Sequence, residues 1–244
     1  MRILSIIFAV FMSLSATAAD KVVELTSLDW PPYSGKALSE QGASVAVAKA
    51  AFKAMGYELK VSFYPWNRAV ALAKDKGSSY AGYFPEYYSD DIAKEFTFSE
   101  PMGTGPLGFA ELKTKPVSWS VLDDLKAHRI GVVQGYVNTT DFDAMVANKS
   151  IKASSTISDV NNLKKLAAGR IDLAVVDKNV MNYLLKTDAQ LKKSAGNLQF
   201  NGTLLEDKKL YICFKNTAKG KELADIYNQG LKKIDIAAIM AAHL

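Results

Sequence analysis

The chemistry this sequence offers lies in a few acidic, aromatic and basic positions. Asp177 closes residues 171–176, an apolar run rich in β-branched residues that reads as a buried strand, and a helix-spaced stretch over 180–185 follows it. A carboxylate at a strand end that opens a helix has two uses. It caps the helix by accepting a backbone N–H bond, or it offers a charge-assisted partner to a cationic group on a ligand. Trp30 and Tyr33 lie in the turn-rich segment DWPPYSG, and Trp66 lies beside Pro65 in YPWNRAV; rings in such loops can wall a cleft. Arg68, two residues after Trp66, is a basic group at the same strand end. Tyr83, Tyr87 and Tyr88 precede Asp90 and Asp91, a combination suited to a cation held by ring faces, although an aromatic core is the plainer use of such tyrosines.

Catalytic and metal-binding spacings are missing from the sequence. His128 precedes a strand, His243 is next to the C-terminus, and neither forms a plausible triad with a serine or with Cys213. There is no HExxH, CxxC or EF-hand pattern and no glycine-rich phosphate loop after a strand, so no catalytic residue, metal or cofactor is expected. Glu86 and Asp177 could share a cleft for acid–base work, but no spacing supports it. Basic residues are scattered, without the basic–aromatic interleaving of a nucleic-acid surface.

The elements that must position these residues begin after a leader. Arg2 gives a positive start, residues 3–14 are apolar apart from Ser5 and Ser13, and Ala16-Thr17-Ala18 fits a cleavage site, as does Thr17-Ala18-Ala19. The apolar run is shorter than the ~20 residues of a membrane span, and no later run reaches that length. The expectation is a signal peptide over 1–19, cleaved near Ala18 or Ala19, and a mature chain that is not inserted in a membrane. The formal net charge of +5 falls by one with Arg2 removed. About 225 residues remain, enough for one large domain or two lobes of roughly 100 each. Cys213, in LYICF, is the single cysteine and reads as a buried, inert strand thiol. One cysteine argues against a multiply bridged secreted domain and for the bacterial periplasm; three matches to the N-glycosylation pattern, at Asn138, Asn148 and Asn201, are read as chance.

Strand and helix signals alternate along the mature chain. Strands are expected at 22–26, 59–63 and 80–84, the last ended by Pro85, with helices at 44–55 and 67–76 between them. A second unit repeats the pattern. It has a short helix at 121–128, strands at 130–134, 151–154 and 171–176, and helices at 138–147, 158–168 and 180–185. Extended segments at 107–114 and 208–215 flank that unit, so the chain leaves one lobe, builds another and returns. Leu223, Ile226, Tyr227, Leu231 and Ile234 share one helical face that packs back on the first lobe. The expected fold is α/β, with two lobes of parallel-rich sheet joined by a two-strand hinge. In such sheets ligands bind beyond the carboxyl ends of the strands, where Asp177 stands.

LDWPPYSG, FTFSEPM, SVLDDLKAHRIGVVQG and LKKLAAGRIDLAVVDKNVMNYLL, in this order, resemble segments of family 3 of the bacterial extracellular solute-binding proteins. The resemblance covers nearly the whole mature chain. It implies a two-lobed, cleft-closing receptor of the periplasm, a monomer, with lobe one over 20–110 and 213–244 and lobe two over 111–212. It further implies a small polar solute, an amino acid or related amine, passed to an ABC-transporter permease; a sensor or chemoreceptor domain is the alternative partner, and an enzyme on this fold a more remote one. The acid at the position of Asp177 grips the ligand's α-ammonium in that family, whereas Asp172 occupies a structural position.

The departure from the family is informative. Its members that bind amino acids typically carry Thr-x-x-Arg ahead of the Phe-Ser signature, and the arginine clamps the ligand carboxylate. Here Ser89 takes the threonine's place and Ile92 the arginine's. Three replacements are open. Arg68 could supply a guanidinium. The start of the helix near Asn138 and Thr139 could hold an anion on backbone N–H groups, although the family's Gly-Thr-Thr reads Gly135-Tyr136-Val137 here. Or the ligand has no carboxylate, and Asp177 with the tyrosines takes an amine.

Overall fold

A computed structural model describes residues 21–244; the expected leader and its cleavage site lie outside them. The chain opens with β1 (Val22–Ser27), α1 (Ala43–Ala54), β2 (Glu58–Phe63), α2 (Trp66–Lys74) and β3 (Gly82–Tyr87). β1 pairs in parallel with β2 and β3, as helical crossovers require. The short α3 (Asp90–Glu95) and β4 (Phe96–Phe98) lead to β5 (Gly103–Leu112). A 3-10 turn at Leu122–Ala127 stands where a short helix was expected. Then come β6 (Arg129–Val133), α4 (Thr140–Ala147), β7 (Lys152–Thr156), α5 (Asp159–Ala167), β8 (Leu173–Asp177) and α6 (Lys178–Thr187). β6 is parallel to both β7 and β8. α7 (Leu191–Ser194) leads into β9 (Leu198–Lys215), and α8 (Ala218–Leu231) and α9 (Ile236–His243) close the chain.

Two strands tie the lobes together. β5 runs antiparallel to both β8 and β9, and β9 continues past it to pair with β3 and β4. β9 is therefore 18 residues long, where the sequence signals mark only 208–215. The parallel ladders expected as separate sheets are joined through this pair into one path, β2-β1-β3-β9-β5-β8-β6-β7, among the described residues.

Pro85 does not end β3, which continues to Tyr87. The ladder to β9 shifts register between Tyr83 and Glu86, so the N–H that proline lacks falls where no ladder bond is required. This places Glu86 and Tyr87 on buried strand positions at the lobe junction.

The first lobe closes on the returning chain. Leu223, Tyr227 and Leu231 of α8 are buried, and Ile226 and Ile234 pack against the same core at its margin. Phe52 of α1 meets Tyr227 at 5.3 Å and Phe214 of β9 at 6.4 Å between ring centroids. Cys213, next to Phe214 on β9, is fully buried near Tyr83 and Glu86, and burial raises its thiol pKa well above the ordinary value. Gly230 lets α8 approach α1 so closely that a Cβ would strike the Ala51 carbonyl oxygen. Gly230→Ala must push the helices apart and is expected to lower unfolding stability by about 1–3 kcal/mol in urea titration; an unchanged or higher midpoint would show that this backbone contact is not tight.

Candidate functional site

Asp177 caps its helix and also reaches across to the other lobe. It is 1% exposed at the end of β8, because β8 is buried along its whole length. Its Oδ1 accepts the backbone N–H groups of Asn179 at 2.7 Å and Val180 at 3.1 Å, so it caps α6. Its Oδ2 turns the other way and accepts the Tyr33 hydroxyl, from the opposite lobe, at 3.1 Å. Asn179 Nδ2 donates to the same tyrosine oxygen at 2.8 Å. Gly105 of β5 makes room for this junction; a Cβ there would strike both Asp177 Oδ2 and the Tyr33 hydroxyl. Burial pushes the Asp177 carboxyl up to about 7, against these three bonds, which favour its charged form.

Aromatic rings fill the space above Asp177. Trp30 stacks on Tyr33 at 4.7 Å and meets Tyr87 edge-on at 6.0 Å. Tyr136, from the second lobe, packs edge-on between Trp30 at 6.5 Å and Trp66 at 5.8 Å. Trp66 Nε1 donates to the Gly135 carbonyl at 2.9 Å, a second bond between the lobes. The cavity bounded by Trp30, Trp66, Glu86, Tyr87 and Tyr136 measures about 20 Å³, room for roughly one water. In this conformation the lobes meet over a cleft packed with its own rings.

The polar groups around these rings are not paired off. The Tyr87 hydroxyl and Trp30 Nε1 are buried with no hydrogen-bond partner. The indole N–H of Trp30 favours the charged form of Asp159, yet it makes no hydrogen bond of normal geometry to it. Asp159, the first residue of α5, is 6% exposed, and burial together with the nearby Asp177 charge pushes it up to about 7. Glu86 accepts the Tyr87 N–H at 2.8 Å and the Tyr83 hydroxyl at 3.1 Å; burial still pushes it up to about 8. Asp177, Asp159 and Glu86 form no salt bridge among the described residues. Asp172, by contrast, is held down to about 2 by its Arg129 ion pair, in keeping with a structural position.

Of the positions singled out from sequence, Trp30, Tyr33, Trp66, Tyr87 and Asp177 converge here. Four others do not join them. Arg68 is exposed on the first turn of α2, its guanidinium 5.2 Å from the Tyr64 ring. Ser89 caps α3, accepting the Asp91 N–H at 3.3 Å. Asn138 donates its backbone and side-chain N–H groups to Asp143 at 2.8 and 2.7 Å. Thr139 caps α4 and faces a surface groove of the second lobe beside Thr140 and Glu206. The start of α4 is thus already supplied with carboxylates, Asp141 and Asp143, which opposes a further anion.

Three members of the junction were not singled out. Asp159 follows Ser158, which by itself accounts for the helix start. Asn179 is hidden in the first turn of a helix whose cap explains it. Lys208 sits in a strand of mixed polarity, and only tertiary pairing shows that it turns inward: its side chain is 7% exposed, with Nζ 5.5 Å from the Tyr87 ring centroid and 3.4 Å from Glu206.

Fold and junction together define a two-lobed α/β fold of the kind seen in periplasmic binding proteins. Three solved structures illustrate the likeness. A histidine kinase sensor domain with similarity to periplasmic binding proteins superposes with a TM-score of 0.76 at 18% identity, over 92% of this chain and 96% of the other. The GluR0 ligand-binding core from Nostoc punctiforme, in complex with L-glutamate, gives 0.71 at 17% identity over 90% and 96%. A protein of glutathione import through a cystine ABC importer of Streptococcus mutans gives 0.72 at 22% identity over 92% and 95%. No protein-family model and no curated protein matches the chain.

Buried carboxyls at a lobe junction make closure sensitive to pH. When the lobes part, water returns and each group reverts toward the ordinary carboxyl value near ~4. The closed form therefore holds more protons than the open form up to about 7 for Asp159 and Asp177 and about 8 for Glu86. Closure is fully favoured below that window and weakens as the pH rises through it. Small-angle X-ray scattering is expected to give a larger radius of gyration at about pH 8.5 than at about pH 5.5, with part of the change abolished in the Asp159→Asn/Asp177→Asn double variant and the rest left to Glu86. The same radius at both pH values would contradict this coupling.

Proposed function

We propose that this protein is an exported solute-binding protein that closes on a small polar solute carrying a protonated amine, an amino acid or a related amine, and binds it without transforming it. The observation that carries the reading is the pair of buried carboxylates, Asp177 and Asp159, which carry no salt bridge beneath the Trp30 and Tyr33 rings. A desolvated carboxylate with no cation is costly, and an ammonium entering the cleft would restore the missing charge. The Tyr87 hydroxyl and the aromatic walls supply the remaining polar and apolar contacts. No described helix is long and apolar enough to cross a membrane; the reading includes a mature chain that works as a monomer in the periplasm. The lobe limits proposed from sequence, near 110 and 212, fall within the crossing strands β5 and β9.

Delivery to an ABC permease is the first partner reading, supported by the likeness to an ABC importer's binding protein. A sensor role is the second, supported by the likeness to a histidine kinase sensor domain. Uptake of the identified solute by cells lacking this protein separates them: lost uptake supports the permease, and intact uptake the sensor.

A thermal-shift screen of refolded protein against amino acids, small peptides, polyamines, other amines, carboxylates and sugars tests the binding reading. Solutes with a protonated amine are expected to stabilise, by about 2.7 kcal/mol at 100 times the dissociation constant. Asp177→Asn keeps a competent helix cap but removes the charge, so it is expected to weaken binding about 10- to 150-fold, the worth of one charge-assisted hydrogen bond. Unchanged affinity in that variant would reduce Asp177 to a helix cap, and stabilisation by carboxylates or sugars alone would overturn the cationic reading.

A further inference from the structure

The family arginine is replaced by Ile92, a partly buried apolar residue packed against the core, and Arg68 lies outside on Tyr64. The junction nevertheless holds a cation. Among the described residues, Lys208 is the one lysine or arginine that is buried. It reaches the junction from β9, the strand that crosses between the lobes, rather than from the helix that follows the third strand.

Strand register fixes where this lysine points. Lys208 is directly opposite Gly105 in the antiparallel β5–β9 ladder, and Asp177 is directly opposite Leu107 in the β5–β8 ladder. Residues directly opposite each other send their side chains to the same face, as do positions two apart on one strand. Lys208, Asp177 and the absent side chain of Gly105 therefore share one face. That face is confirmed by Gly105, whose Cβ would run into Asp177 Oδ2 and the Tyr33 hydroxyl. β5 separates a carboxylate on one flank from an ammonium on the other, and the room left by Gly105 between them is taken by Asp177 Oδ2 and the Tyr33 hydroxyl. Tyr87 bridges the two, its ring under Lys208 and its unpartnered hydroxyl among the carboxylates.

Nothing in the chain claims Lys208 fully. Its ion pair with Glu206 is long, at 3.4 Å, and Glu206 is half exposed, the kind of contact that contributes little. Glu86 and Asp143 also feel its charge, but Glu86 is engaged by Tyr83 and the Tyr87 N–H, and Asp143 by Asn138. We infer that Lys208 is the anchor for a carboxylate on the ligand, so that the cleft is built for a zwitterion: its ammonium at Asp177 and its carboxylate at Lys208, on the two flanks of β5. This rests on the cationic-cleft reading above and narrows it from amines in general to amino acids and their close analogues.

The test is isothermal titration of the refolded full-length protein with matched pairs: lysine and cadaverine, arginine and agmatine, histidine and histamine, tyrosine and tyramine. Each pair differs by one carboxylate. Wild type is expected to bind the amino acid of a responding pair at least ten-fold tighter than its amine. Lys208→Met is expected to erase that difference by weakening the amino acid alone, and Lys208→Arg to retain most of it, with far-UV circular dichroism confirming that both variants fold. An amine bound as tightly as its amino acid, or a preference that survives in Lys208→Met, overturns the Lys208 assignment and leaves the cationic cleft standing. If Lys208→Met fails to fold, Lys208→Gln takes its place: a wild-type preference lost in that variant supports the assignment, and a preference that survives in it, or none in wild type, overturns the assignment. No binding by any member of any pair overturns both readings.

Discussion

A carboxylate held out of water where two lobes meet is the constraint around which this structure is arranged. Asp177 is taken almost wholly from solvent by the burial of β8, and it survives there because three donors converge on it. Two are backbone N–H groups of its own helix, and these belong to the second lobe alone. The third is the Tyr33 hydroxyl, and it belongs to the first lobe. Capping is thus permanent, whereas full satisfaction of the carboxylate depends on the lobes being together. Gly105 is part of the same arrangement, since any side chain on that strand position would separate the tyrosine from the acid.

The two crossing strands make this junction a hinge and not merely an interface. β5 and β9 are hydrogen-bonded to each other and to strands of both lobes, so the lobes bend about a shared ladder without breaking one. In the conformation described the rings of Trp30, Tyr33, Trp66, Tyr87 and Tyr136 occupy the cleft. A solute larger than a water that enters the space between Trp30, Trp66, Glu86, Tyr87 and Tyr136 must shift those rings or part the lobes, and it favours closure only by as much as it is held better in the closed form than in the open one. Direct ring packing, the Trp66–Gly135 bond and the Tyr33–Asp177 bond all act in the same direction as such a solute.

Much of this was legible in the sequence because it was written in local patterns. Alternating strand and helix periods identify the α/β lobes, and the apolar run ahead of Asp177 identifies a buried strand end. Trp30, Tyr33 and Trp66 stand in proline-rich loops at strand ends, where a cleft in such sheets must lie. What escaped was decided by pairing across the chain. Pro85 is tolerated inside β3 only because a register shift falls beside it. Lys208 turns inward because its partner across the ladder is Gly105. Asp159 stands next to a serine that already explains the helix, so no local signal marks its burial. Arg68 shows the converse: its type and place in sequence suit a cleft, yet the first turn of α2 directs it onto Tyr64 and into solvent.

The path of the chain through the hinge also sets the order in which the molecule can be assembled. β3 finds its second neighbour only when residues 210–214 arrive, and α1 stays uncovered until α8 and α9 follow. The second lobe draws on segments closer together in the chain, apart from its own share of β9, and can begin to fold while the first is still missing its final strand. The first lobe must wait, with its apolar face unpaired, for β9, α8 and α9. Contacts this distant in sequence are slow to form and leave hydrophobic surface open meanwhile. Folding of this protein therefore leaves the first lobe most exposed until β9, α8 and α9 are in place, and the loss of those elements would strike the lobe that was made first.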